Sequence, residues 1–469
     1  MSDARTRGVG VRKPDLDTMY TINSDGSRNF LHPADVKGRW QTRKNIMWLV
    51  LLVVYLGLPF VRIGGHPAVQ FDIARRTAYL FGSTFTNQDF HLMFFLLLGF
   101  GLILFVATSL YGRVWCGFAC PQTVFLEGVF RRIERWLEGP RGRRIQRNLG
   151  PMTAEKFARK LAKHVVFIAL SWVFAHAFIA YFMPVENLLA AVRGGPAGHM
   201  AAFVWGMAWT VTLYFNYAWF REQTCLIICP YGRLQSTLID PETIIIGYDE
   251  QRGEPRGHLK DEGTGDCIDC LKCVNVCPTG IDIRNGLQME CVGCSNCIDA
   301  CDSVMDKIGK PRGLVRYDSQ SGFDGKPHKV LRGRMLVYLA AFVLGVGFFA
   351  WRAGERTFFQ VSALRSRGLP YTITEDGVRN LYTIFLQNKS DEPRVFRVTP
   401  GEDVGVLGDA VEFIIPQERV ALEALGERRL PLFVTVPRSA YTVPVDFHVS
   451  VTDSATGTVQ AVKVRFRGP

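Results

Sequence analysis

Five stretches of the chain are almost purely apolar: Ile46 to Ile63, Phe90 to Tyr111, Val165 to Met183, Met200 to Phe220 and Met335 to Trp351. A helix needs roughly 20 such residues to cross a ~30 Å hydrocarbon core, so the pattern predicts five membrane-spanning helices. The last stretch is short, but Arg334 and Arg352 bracket it with stems long enough to reach the two interfaces. After Trp351 the pattern changes. Asn380 to Gln387, Val411 to Ile415, Leu430 to Val436, Val443 to Val451 and Val459 to Phe466 are rich in Val, Ile, Phe and Thr between Gly, Pro, Asp and Ser breaks, which predicts a small antiparallel sandwich.

Basic residues orient the spans. Nine Lys and Arg precede the first, including Lys37, Arg39, Arg43 and Lys44, and twelve lie between spans two and three, from Arg113 to Lys163. The loops after spans one and three carry few, chiefly Arg75, Arg76 and Arg193. Short cytoplasmic loops are the Lys/Arg-rich ones, so the N-terminus and everything between spans four and five face the cytoplasm, and the tail faces the periplasm of a bacterial inner-membrane, multi-pass protein. The net charge of +12 crowds beside apolar runs rather than on one face interleaved with aromatics, which argues for membrane lipid as the partner and not nucleic acid. The first 45 residues carry no apolar stretch that would make a secretory signal, so the first span is expected to act as the insertion signal.

The cysteines supply the chemistry. All 12 fall between Cys116 and Cys301 in tight spacings, unlike a disulfide framework. Cys267, Cys270, Cys273 and Cys277-Pro278 form one run, and Cys291, Cys294, Cys297 and Cys301 another. This is the spacing of bacterial two-cluster ferredoxins, in which the fourth cysteine of each run ligates the other cluster. One [4Fe-4S] cluster is therefore assigned to Cys267, Cys270, Cys273 and Cys301, the second to Cys291, Cys294, Cys297 and Cys277. Zinc ribbons share Cys-x-x-Cys pairs but not two such complete runs. Asp302 follows Cys301 where proline is usual, and an altered turn is expected there.

Spans two and four end alike, in Cys116-Gly-Phe-Ala-Cys120-Pro121 and Cys225-Leu-Ile-Ile-Cys229-Pro230, as if two hairpins had duplicated. Proline disfavours helix at the residue before it, so each pair is expected at a helix break where four thiols could converge. Thiolates suit Cu(I), and a dithiol can exchange electrons; four buried structural cysteines are the alternative. Leu126, Val129, Phe130, Ile133 and Leu137 recur at helical spacing opposite Arg131, Arg132, Glu134 and Arg135, which predicts an interfacial helix lying on the inner leaflet. His66, His91, His176 and His199 sit in or beside spans. His91, His176 and His199 are candidate copper or haem ligands with soft neighbours Met93, Met183 and Met200, although interfacial histidines bonded to carbonyls are commoner.

These features divide the chain into a multi-domain membrane protein. Residues 1–45 form a cytoplasmic segment and 46–230 a helical membrane domain of two duplicated hairpins. Residues 231–333 form a 2[4Fe-4S] ferredoxin-like α+β domain, 334–352 a fifth transmembrane helix and 353–469 an all-β sandwich. In that order, and over essentially the full length, they resemble the CcoG/FixG/RdxA family of accessory proteins for cbb3-type cytochrome c oxidase. The resemblance implies an immunoglobulin-like fold for the tail. It also implies an oxidoreductase that reduces Cu(II) to Cu(I) for the oxidase's copper centre, with Cys116, Cys120, Cys225 and Cys229 as the copper-reducing site. Copper ions, oxidase subunits or copper-delivery proteins, and a cytoplasmic electron donor would be the partners. Spacing alone establishes a one-electron relay beside four membrane-rim thiols. It leaves open a quinol-linked polyferredoxin, with haem among the histidine-bearing spans, and a non-enzymatic assembly scaffold.

Overall fold

The computed structural model describes residues 30–86, 89–259, 261–327, 329–365, 369–401, 411–439 and 444–468; the first 29 residues of the expected cytoplasmic segment lie outside them. Among the described residues four helices are long and apolar enough to cross a membrane: Arg39–Gly57, which continues as a tight turn to Phe60, then Phe90–Tyr111, Ala154–Ile179 and Gly333–Gly354. The fourth apolar stretch forms the helix Met200–Phe215, which widens into one π-turn, Asn216–Phe220. The helices outrun their apolar cores. The third starts at Ala154 because the Thr153 hydroxyl caps it by accepting from the Lys156 N–H (3.2 Å), whereas the apolar pattern starts only at Val165.

The chain divides into two compact units. In the first, the membrane helices meet around Phe130, Phe167, Phe174 and Tyr217, with Phe130 stacked on Tyr217 at 4.4 Å and edge-on to Phe167 at 4.9 Å. The ferredoxin module has a separate core of Ile246, Ile283, Ile298, Val304, Met305 and Leu314, closed by the antiparallel pair Ile245–Tyr248 and Val315–Asp318.

The expected interfacial helix is instead a broken and internally engaged segment. Pro121–Phe125, a π-turn Leu126–Phe130 and Arg131–Glu138 follow one another, and the charged positions point inward. Arg131, Glu134 and Glu138 are buried while Trp136 is exposed. The reason is pairing: Arg131 meets Glu127 and Glu222 (2.8 Å), Glu134 meets Arg221 (2.8 Å), Lys163 and Arg144 (both 3.5 Å), and Lys163 meets Glu138 (2.8 Å). Charge alone reads as a solvated face, but burial is tolerated where each ion has a partner.

The second unit combines the tail with residues 71–94. One tail sheet runs Glu412–Ile414, Glu427–Val436, Val378–Asn388, Phe359–Arg365, with Thr372–Ile373 also on Val378–Asn388; the other runs Arg419–Leu422, Arg394–Pro400, Val445–Asp453, Val459–Phe466. Phe396, Val434, Phe447 and Phe466 are among the alternating residues that fill the space between the sheets. A three-stranded sheet, Val69–Asp72, Thr77–Leu80 and Ser83–Thr86, follows the first helix. Asp89 beyond it is buried and accepts from Lys389 Nζ (3.0 Å) and Arg356 Nη2 (3.1 Å) of the tail.

Candidate functional site

The two cysteine runs fold as copies of one another. Asp269 and Leu271 flank Cys270 with φ of 52° and 56°, and Gly293 and Ser295 flank Cys294 with φ of 64° and 62°. Left-handed backbone is unfavourable for residues with a Cβ, so its recurrence on both sides of the middle cysteine is a specific wrap. A short helix then carries Cys273 (Lys272–Asn275) and a longer one Cys297 and Cys301 (Asn296–Ile308). With no proline after Cys301 this helix runs on through Asp302, whose carboxylate accepts from Gly313 N (3.0 Å).

Each run opens on a cavity. Cys267, Cys270, Cys273 and Cys301 line one, with Tyr248, Val304 and Leu314 among its walls. Cys277, Cys291, Cys294 and Cys297 line the other, with Ile246, Ile281 and Val292. Cys273 borders both, so only a short span separates them. The donor set fits a pair of cubanes: four thiols from two runs around each of two apolar-walled spaces. Burial pushes Cys273, Cys291 and Cys301 up to about 12 and Cys294 to about 11, so in the absence of iron these groups are held as thiols. Cys270 is exposed, giving the first cavity an opening to solvent.

The membrane-rim cysteines sit at helix breaks. Cys120 and Cys229 are extended (φ −61°, ψ 127° and φ −65°, ψ 109°), and Pro121 and Pro230 each take the first position of the helix beyond the break. The four thiols share one electrostatic environment, Cys225 lying within the field of Cys120, Cys116 and Cys229. Burial raises Cys116 to about 12 and pushes Cys120 and Cys225 up as well. The Cys116 thiol donates to Gln235 Oε1 (3.4 Å), and Gln235 is wholly buried.

This site abuts the ferredoxin module. A Cβ placed on Gly117, between Cys116 and Cys120, would lie 2.3 Å from the Gly293 carbonyl oxygen and 2.9 Å from Cys294 Cα. Arg113 donates to the Cys291 carbonyl (3.4 Å) and to the Gly232 carbonyl (2.5 Å), joining the second cysteine run to the second hairpin. Trp40, at the start of the first long helix, packs on Phe118 (6.2 Å) and Tyr317 (5.0 Å), and Asp299 accepts from Trp40 N (3.2 Å) and Gln41 N (2.7 Å). In the sequence Lys44 and Arg113 are legible only as orienting charges, Arg131 and Glu134 only as a polar helix face, and Gln235 not at all; their only signal is charge or polarity where an apolar run begins or ends.

The histidines do not gather. His176 donates from Nδ1 to the Trp172 carbonyl (2.8 Å), its ring tilted at 35° against the Trp172 ring with centroids 4.2 Å apart, as a membrane histidine bonded to its own helix would be. His91, His176 and His199 belong to no metal-holding group among the described residues.

Comparison with known proteins gives three family models along the chain. They are a "4Fe-4S binding domain" over residues 92–144, a "4Fe-4S dicluster domain" over 220–320 and the "IG-like fold at C-terminal of FixG" over 349–469. Protein RdxA of Cereibacter sphaeroides is 37% identical over 467 residues, covering 94% of this chain and 98% of its own. Nitrogen fixation protein FixG of Rhizobium meliloti is 34% identical over 488 residues, covering 92% of each. Among solved structures, a FixG-related protein from Vibrio parahaemolyticus is 18% identical, with a TM-score of 0.20, over 24% of this chain and 96% of that one.

Proposed function

The chain belongs to the FixG/RdxA family of iron–sulfur proteins, and from that premise we propose that it is a membrane-bound cupric reductase. Its product, Cu(I), would supply the copper centre of a cbb3-type oxidase. Cys267, Cys270, Cys273 and Cys301 hold one [4Fe-4S] cluster and Cys277, Cys291, Cys294 and Cys297 the other. Cys116, Cys120, Cys225 and Cys229 bind the copper. When bound, the clusters supply electrons one at a time, which is the stoichiometry of Cu(II) + e⁻ → Cu(I).

The observation that carries this reading is the backbone contact of Gly117 with Gly293, which brings the four-thiol rim against one cluster loop. The chain's own residues do the rest. Exposed Cys270 marks where a cytoplasmic donor docks. Cys273, on the wall of both cavities, keeps the path between them short. Soft thiols favour the Cu(I) product over Cu(II), and burial of Cys116, Cys120 and Cys225 discourages their ionisation until a cation arrives.

The topology is supported by packing within each unit. Asp89 paired with Lys389 and Arg356 supports residues 71–89 and the tail lying on one side of the membrane. An even number of crossings between them fits that pairing, as when Met200–Phe220 crosses along with the three longer helices. Its 21 residues would rise about 31 Å. The count is then five spans, with the cluster module on the side of the N-terminus and the tail opposite, which the basic loops assign to cytoplasm and periplasm.

Anaerobically purified protein with chemically reduced clusters is expected to convert Cu(II) to Cu(I), read as a Cu(I)-chelate absorbance. Replacing Cys116, Cys120, Cys225 and Cys229 together by serine should lower that rate at least tenfold while iron content stays at the wild-type value. An unchanged rate would refute the copper site. A haem band in the optical spectrum would turn the reading toward a quinol-linked protein.

A further inference from the structure

Lys44 is 1% exposed, near the start of the first long helix. Its Nζ donates to the Cys294 carbonyl (2.6 Å) and to Asn296 Oδ1, and it lies 5.4 Å from the centre of the Trp48 ring. No carboxylate among the described residues forms an ion pair with it. A buried ammonium held only by neutral oxygens and an aromatic face is expensive, and proteins keep such a charge where an anion completes it. The space beyond Cys294 is the cavity lined by Cys277, Cys291, Cys294 and Cys297, whose walls contain no charged side chain. A cluster bound by four thiolates there carries net negative charge, and the charge grows by one on reduction.

The other cavity is different. Its wall includes Lys272, which is exposed so that water screens its charge, and Arg284, whose guanidinium is paired with Asp282 (2.6 Å) and Asp269 (2.5 Å) so that its field is offset.

Resting on the assignment of clusters to these two cavities, we infer that Lys44 is the counter-charge of the membrane-side cluster and holds its reduction potential above that of the solvent-side one. The ammonium favours the more negative, reduced state of the cluster beside it, and in a buried setting its field is little screened. Electrons entering at the Cys270 side then run downhill toward Cys294 and the thiol rim. Arg113, donating to the Cys291 carbonyl, adds to the same field. Lys44 is a positioning residue here and makes no bond to iron.

The test is a potentiometric EPR titration of the full-length protein and three variants. Lys44→Gln removes the charge. Asn296→Asp leaves the lysine but sets a carboxylate against its Nζ. Lys44→Arg keeps the charge. In both neutralising variants the higher-potential cluster should show at least a tenfold lower reduced-to-oxidised ratio at fixed poise, about 59 mV for one electron, with the other cluster unmoved. Lys44→Arg should titrate like wild type. If the neutralising variants lose that cluster while Lys44→Arg retains it at the wild-type potential, the charge is required and the inference stands. Fully loaded neutralising variants with unshifted midpoints would overturn it, as would loss of the cluster in all three. A wild-type protein showing fewer than two clusters would instead overturn the cluster assignment beneath it.

Discussion

Glu134→Gln is expected to destabilise the detergent-solubilised protein by about 3–5 kcal/mol, because it breaks a buried ion network at its most connected carboxylate. The network is balanced, with Arg131, Arg144, Lys163 and Arg221 facing Glu127, Glu134, Glu138 and Glu222. The substitution leaves four cations against three carboxylates. Arg221, at 2% exposure, would lose the one carboxylate it meets within ion-pair distance among the described residues. A loss of that size is a large part of what holds an ordinary domain together. The damage should also reach the clusters, since Arg131 of the same network donates to the carbonyl of Pro278, next to Cys277 (3.2 and 3.3 Å). Thermal unfolding would show a lowered midpoint, and iron content would fall with it. Adding Arg221→Met should recover part of the stability, because an uncompensated charge costs more than an absent pair. A change of under 0.5 kcal/mol in Glu134→Gln would mean that the network contributes nothing structural.

The same carboxyl gives the pH dependence its sign. Burial alone would raise its pKa, but Arg221 and Lys163 outweigh that and hold it well below its ordinary 4.5. Its folded value being the depressed one, the stabilisation is complete above about pH 4.5 and is lost as pH falls below it, when the unfolded chain takes up protons first. Acid should thus unfold the wild type more steeply than Glu134→Gln.

Why was some of this legible in the sequence and some not? Cluster ligation leaves a mark at fixed short spacing, so the sequence predicts two quartets across the runs; Cys267, Cys270, Cys273 and Cys301 line one cavity, and Cys277, Cys291, Cys294 and Cys297 line the other together with Cys273. Span existence was legible for the same kind of local reason. Strands were less so: Phe359–Arg365, Arg394–Pro400 and Arg419–Leu422 alternate with Arg, Gln and Ser on the outer face and lack the apolar density of Leu430 to Val436. The charged face of Arg131–Glu138 was misread because its partners, Lys163 and Arg221, are distant in sequence, and amphipathic spacing cannot distinguish water from a buried counter-ion. Lys44 was legible only as one more orienting cation. Its neighbours Cys294 and Asn296 lie about 250 residues away.

Gly117→Ala is expected to slow the transfer of electrons from the clusters to copper at least tenfold while leaving both clusters loaded. Gly117 lies inside the short helix Val114–Phe118, where alanine is intrinsically the better residue, so any harm must come from space and not from backbone preference. Space is what is missing. The new methyl would sit 2.3 Å from the Gly293 oxygen and 2.7 Å from its carbonyl carbon, both backbone atoms that cannot rotate aside. Gly293 cannot yield by turning in place, because its φ of +64° is left-handed and it already backs onto the Arg113 carbonyl. The hairpin and the cluster loop must therefore separate, at an overpacking cost of roughly 1–3 kcal/mol, which the module can bear without unfolding. Single-turnover mixing of reduced protein with Cu(II) reads the separation directly. Gly142→Ala, in the helix Arg141–Leu149 with open space at its Cβ, is the matched control and should transfer electrons at the wild-type rate. If Gly117→Ala matches that control, electrons reach copper by a route that does not cross the Gly117–Gly293 contact, and the four rim thiols are not the acceptor's site.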